Sequence, residues 1–135
     1  MTTITPNAEE RVALFQFAQL LIPTSNFLKR LRRVVHVRAL SSQVRNIAVS
    51  HVADLSIPIS LATVRSVIHR YVSENISRQE LSNWAGLILA IPVYVFSEAD
   101  NELLELMNDV ALPLNEEYLD PEVLMSRVAS LSATD

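Results

Sequence analysis

The sequence predicts an all-α fold, a single compact bundle of six or seven short helices, on three observations. Glycine occurs once in 135 residues and no Asn-Gly or Asp-Gly dipeptide is present, so the tight hairpin turns that need positive φ have no obvious seat. Apolar residues recur at spacings of three and four through most of the chain, and a Ser, Thr or Asp precedes nearly every such run, as helix starts require. Half of the residues are hydrophobic and 19% are charged, enough to build one core without metal or disulfide. One domain over residues 1–135 is expected, with residues 1–4 and 132–135 frayed; no repeat or low-complexity linker divides it.

The elements follow in order. Thr5 before Pro6 reads as a cap with proline in the first helical position, and Val12, Phe15, Ala18 and Leu21 or Ile22 then make an apolar stripe up to Pro23. Ser25 can start a second helix with Phe27, Leu28, Leu31, Val34 and Val35 on one arc and Lys29, Arg30, Arg32 and Arg33 on the other. Extended further it would carry Arg38 into its apolar face, so a break is expected between His36 and Leu40. The run VVHVRAL also suits a short strand, because valines favour a pleated backbone; for residues 34–40 both readings stay open.

Ser41 or Ser42 is expected to start a third helix with Val44, Ile47, Ala48, Val52 and Leu55 inward, ending before Pro58. Ser60 starts a fourth, carrying Val64, Val67, Ile68 and Tyr71 to about Ser73. The fifth has the fullest signature: in ISRQELSNWAG, Ser77 and Glu80 form the S-x-x-E capping box, with Ile76 and Leu81 placed as a hydrophobic staple. Leu81, Trp84, Ala85 and Ile88 share its inner face, and Gly86 is expected where a neighbouring helix comes close to the backbone. Ser97 and Asp100 open a sixth helix that stops before Pro113, and Asp120 with Pro121 caps a seventh through Val123, Leu124 and Val128.

The charge-free stretch Leu81 to Ser97 is 17 residues long and contains Asn83 and Pro92. A spanning helix needs about 20 predominantly apolar residues, so a buried helix followed by a short extended segment is expected instead, and no membrane partner. The first residues bring Glu9, Glu10 and Arg11 too early for an export signal. Zero cysteines rule out thiolate metal sites and thiol nucleophiles and fit a reducing cytosol; a cytoplasmic location is expected.

Charge is divided along the chain. Residues 1–78 hold ten of the 11 bases and four of the 15 acids, whereas residues 79–135 hold eleven acids and Arg127, so the halves carry about +6 and −10. Glu98, Glu102, Glu105 and Asp109 recur at helical spacing opposite Leu103, Leu104, Met107 and Val110. Like charges at that spacing repel with no lysine on the same helix to offset them. With Glu116 and Glu117 beside it, this stripe is the candidate surface for a basic protein partner. Helix-dipole compensation at its start, and pairing with the basic segment 29–33 inside the fold, are the structural explanations of the same charges.

Catalysis finds little support. His36, His51 and His69 are too far apart for H-E-x-x-H, Glu102 with Glu105 lacks the E-x-x-H of a di-iron bundle, and one glycine cannot build a phosphate loop or a nucleophile elbow. No metal site, no cofactor and no enzymatic activity are expected. Nucleic acid is the alternative partner, through Lys29, Arg30, Arg32, Arg33 and Arg38 in the basic segment 29–45, although the sequence pI is near 5.3. A second alternative makes Leu87 to Phe96 the interface of a homo-oligomer.

Between Ile76 and Leu131 the order ISRQELSNWA, an acidic helix ending in LP, then YLDPEVLMSRVASL resembles the small all-helical bacterial immunity proteins. The resemblance rests on Ser77, Glu80, Trp84, Ala85, Tyr118 and Leu119. It implies neutralisation of a cognate toxin by tight binding through an acidic surface that imitates nucleic-acid phosphates. Ser77, Glu80 and Trp84 would then be scaffold, and the acidic residues would make the contact.

Overall fold

In the computed structural model residues 3–40, 44–49, 51–52, 55–97, 101–112 and 116–133 are described. The chain is mostly helical. A short strand β1 (Thr3–Ile4) leads to helix α1 (Ala8–Ala18). Its cap is Asn7 rather than Thr5: the Asn7 side chain accepts from the Glu10 N–H, and the Glu10 carboxylate accepts from the Asn7 N–H. Its inner face is also not the expected one. Ala13, Leu14, Phe17 and Ala18 are buried, while Val12 and Phe15 are each 51% exposed and Leu21 is 62% exposed.

Helix α2 (Thr24–Arg30) begins after Pro23, one residue before the expected Ser25, and its Phe27 ring stacks on Phe17 at a centroid distance of 3.9 Å. A turn over residues 31–34 buries Leu31 and Val34 and feeds strand β2 (Val35–Leu40), the strand alternative for this segment. Its antiparallel partner is β3 (Val44–Val49), with Val35 opposite Val49 and Val37 opposite Ile47.

The expected third helix is therefore corrected to a hairpin. The strands pair through their backbones in the register given, and three residues separate them in sequence, so the two-residue turn that demands glycine is not required. Strand β4 (His51–Val52) then pairs in parallel with β1, and β5 (Ile57–Pro58) with β6 (Tyr94–Val95).

The second half follows the sequence reading closely. Helix α3 (Leu61–Val72) is capped by Ser60, whose Oγ accepts from the Thr63 N–H, and buries Val64, Val67 and Ile68. Helix α4 (Arg78–Ala90) is capped by Ser77 and buries Leu81, Trp84, Ala85, Leu87 and Ile88. It packs against α2, α3, β3 and the next helix, α5 (Asn101–Ala111), and so is the centre of the molecule. A 3-10 helix (Glu116–Leu119) leads into α6 (Pro121–Ala133), where Asp120 caps as expected, its Oδ1 accepting from the Glu122 N–H at 2.9 Å. Leu124 and Val128 of α6 are buried, and Val123 is 37% exposed. The expected start of α5 at Ser97 and Asp100 falls partly outside the described residues.

Two helices end in the left-handed conformation without glycine. At the end of α1, Leu20 has φ 51° and the N–H groups of Leu20 and Leu21 bond back to Phe17 and Gln16; at the end of α3, Glu74 has φ 64° and Glu74 and Asn75 bond back to Tyr71 and Arg70. Both are Schellman motifs. No described helix is long and apolar enough to cross a membrane.

Candidate functional site

The acidic stripe lies on α5, whose Leu103, Leu106, Met107 and Val110 are buried. Glu102 and Glu105 are exposed on the opposite side. Asp109 is half-buried and paired with Arg127 of α6 at 3.0 Å. Arg127, the single base among residues 79–135, thus neutralises one end of the stripe, and the expectation of a wholly uncompensated stripe is corrected at Asp109.

Glu102, Glu105, Leu106, Arg127, Ser130 and Leu131 line a shallow hollow of about 260 Å³ between α5 and α6. Glu117 is exposed in the 3-10 helix, which packs against α5. Glu98 lies outside the described residues, and of Glu116 only the backbone is described.

The basic segment occupies a different part of the fold, beside the start of α1. Lys29, Arg30 and Arg32 are exposed. Arg33 reaches Glu10: its Nε donates to Oε2 at 3.0 Å and its Nη2 donates to Oε1. Glu10 is 3% exposed, and the hydrogen bonds from Arg33 hold its carboxyl below the usual carboxylate range against the opposing effect of burial. Arg33 is raised in turn by the same contact.

Among the described residues the ion pairs are these two, and neither joins Glu102, Glu105 or Asp109 to the residues 29–33. An N-x-x-E signal at Asn7 and Glu10 is readable in the sequence as a helix start; its union with Arg33 is not, because 23 residues separate them. Arg38 sits in β2, and its side chain lies outside the described residues.

No protein-family model, curated protein or solved structure matches this chain. Function must therefore be argued from the geometry itself.

The scaffold residues are placed as follows. Trp84 is fully buried and its Nε1 donates to the Phe17 carbonyl at 2.8 Å. The Ser77 Oγ accepts from the Glu80 N–H at 3.0 Å, but the Glu80 carboxylate does not return to Ser77. It accepts from the N–H and the hydroxyl of Thr24, at 2.7 and 2.8 Å. Gly86 has open space where a Cβ would stand, so the expected close helix approach is corrected.

Among the described residues no three His, Asp or Glu side chains gather where a metal could be held. His69 is exposed beside Arg65 and Arg70 in a hollow on α3, where Arg70 donates to the last carbonyls of α1. Tyr94 is buried, its hydroxyl donating to the Leu14 carbonyl at 2.7 Å, and burial pushes its ionisation well above the usual phenol range. Tyr94 and Arg70 tie α1 and the residues just after it to the rest of the fold, while His69 and Arg65 border the open hollow on α3.

Proposed function

We propose that this chain is a non-catalytic, cytoplasmic, helical protein-binding module of the immunity-protein kind, which neutralises a basic toxin domain or similarly basic protein through the acidic face of α5. One observation carries the reading. Glu102 and Glu105 stand exposed one helical turn apart on a helix anchored by four buried apolar residues, and the one base of the second half is drawn to Asp109. Rigid, exposed like charges on an anchored helix steer and orient a partner of opposite charge more than they add raw affinity. Ser77, Glu80 and Trp84 serve this surface indirectly, by fixing α4, against which α5 packs.

The test reverses Glu102→Lys and Glu105→Lys together, leaving Asp109 in its ion pair. A nuclease-treated lysate of the source cells is passed over wild type and variant, and captured proteins are identified. The expected result is a basic protein retained by wild type and lost by the variant, with the two proteins unfolding at the same urea concentration. Equal capture by both would overturn the assignment of this face.

A further inference from the structure

Lys29, Arg30, Arg32 and Arg33 line one surface cleft of about 490 Å³ together with Asn7 and Asn26, a size within the range of about 300 to 1,000 Å³ found for ligand sites. Glu9 and Glu10 also border it. Glu10 is already neutralised by Arg33, so the exposed acid that opposes an anion there is Glu9. Among the described residues no carboxylate pairs with Lys29, Arg30 or Arg32, and the chain carries no acid at all between Glu10 and Asp54.

Asn26, in the wall of the cleft, holds an unpaired polar atom behind that surface. The Oδ1 of Asn26 is buried without a hydrogen-bond partner. A buried polar atom is ordinarily satisfied, and an amide that rotates about its terminal torsion presents N–H donors instead of the oxygen. Lysine and arginine supply the charge of the cleft, and Asn7 and Asn26 the neutral polar part of its wall.

We infer that this cleft binds the phosphodiester backbone of a single-stranded nucleic acid, independently of base sequence. A small anion would be satisfied by two or three converging donors. Here three exposed bases, Lys29, Arg30 and Arg32, follow one another along the chain and line the same cleft with Arg33. That excess of positive charge suits successive phosphates of a strand. The site lies on other elements than the acidic face of α5 and does not depend on the proposal made for that face.

The experiment is fluorescence anisotropy of a labelled single-stranded 20-mer of mixed sequence. It compares wild type with Lys29→Gln/Arg30→Gln/Arg32→Gln and with the single exposed variant Lys29→Glu, each checked for an unchanged urea midpoint. Three phosphate contacts predict a salt slope near −2 in a plot of log affinity against log salt, at about 0.7 per contact. The triple variant should lose at least about tenfold in affinity and most of that slope. Wild type that fails to bind, or variants that bind with the wild-type slope, would overturn the inference. Inorganic tripolyphosphate that binds more tightly than the 20-mer would make the ligand a compact anion and overturn the nucleic-acid assignment.

Discussion

The Glu80 carboxylate in α4 closes the start of α2 by accepting both the N–H and the hydroxyl of Thr24, 56 residues away. The residue ahead of α2 is Pro23, which has no side-chain acceptor and leaves the first N–H groups of the helix without a local cap. A carboxylate from another helix fills that role and suits the positive end of the helix dipole. The contact ties two helices together through a hydrogen bond that would otherwise be missing.

Glu80→Ala is therefore expected to cost more than the loss of one turn at α4. Removing a charged acceptor from partly buried donors costs about 1.5 to 3 kcal/mol, whereas Ser77→Ala, a local cap, costs about 1 kcal/mol. Urea denaturation measures both; equal losses would return Glu80 to a purely local role.

Trp84→Ala should destabilise by about 3 to 5 kcal/mol, enough to unfold a marginal domain. Trp84→Phe keeps much of the volume and removes one of the donors to the Phe17 carbonyl, which still accepts from the Leu20 N–H, and should cost about 0.5 to 1.5 kcal/mol. As Trp84 is the sole tryptophan, its emission in wild type reports the same burial: it should shift to the red on unfolding, and a wild-type spectrum already red-shifted would contradict the packing.

Glycine and the left-handed positions are mismatched in this chain, which gives a paired prediction. Gly86 lies inside α4 with room for a Cβ, so Gly86→Ala should stabilise by about 0.5 to 1 kcal/mol. Glu74, exposed at φ 64°, should also gain from glycine, by up to about 1 kcal/mol, because the αL position suits it. Thermal melts of the two variants and of the double variant test this. The two sites are on separate elements, so their effects should add.

Acid should loosen the junction of α1 with the turn after α2. The Glu10 carboxyl is held below its ordinary value of 4.5 by Arg33, so its folded pKa lies under its unfolded one. Stability from this pair is complete above the unfolded value and is lost as pH falls through the folded one. Glu10→Gln should lower the midpoint at neutral pH and flatten the decline below about pH 4.5. Arg33→Met should lower the urea midpoint at pH 7, by less than the loss of a fully buried pair would, because the arginine side chain is 54% exposed. An unchanged acid profile in Glu10→Gln would place the acid sensitivity elsewhere.

Local chemistry alone determined much of this protein. Ser60, Ser77 and Asp120 cap helices where the sequence says they must, since a side-chain oxygen two or three residues before unpaired N–H groups acts without help from the rest of the chain. Most inward residues of α3, α4 and α5 were legible too, although on α5 it is Leu106 and not the expected Leu104 that is buried with Leu103, Met107 and Val110. So was the acidic face of α5, though not the ion pair that closes it at Asp109.

Tertiary structure decided the rest. The apolar residues of α1 surround the helix, Val12 to Phe15 being four in a row, so periodicity cannot choose a face; Phe27 and Trp84 choose Phe17 and leave Phe15 in solvent. Residues 35–40 and 44–49 pair as strands because each segment supplies the backbone partner that the other lacks, which the helical spacing of Val44, Ile47 and Ala48 taken alone does not reveal. The carboxylates of Glu10 and Glu80 tell the same story from the polar side. Each sits in a helix-start signal, but the donors that hold it, Arg33 and Thr24, come from parts of the chain that only folding brings within reach.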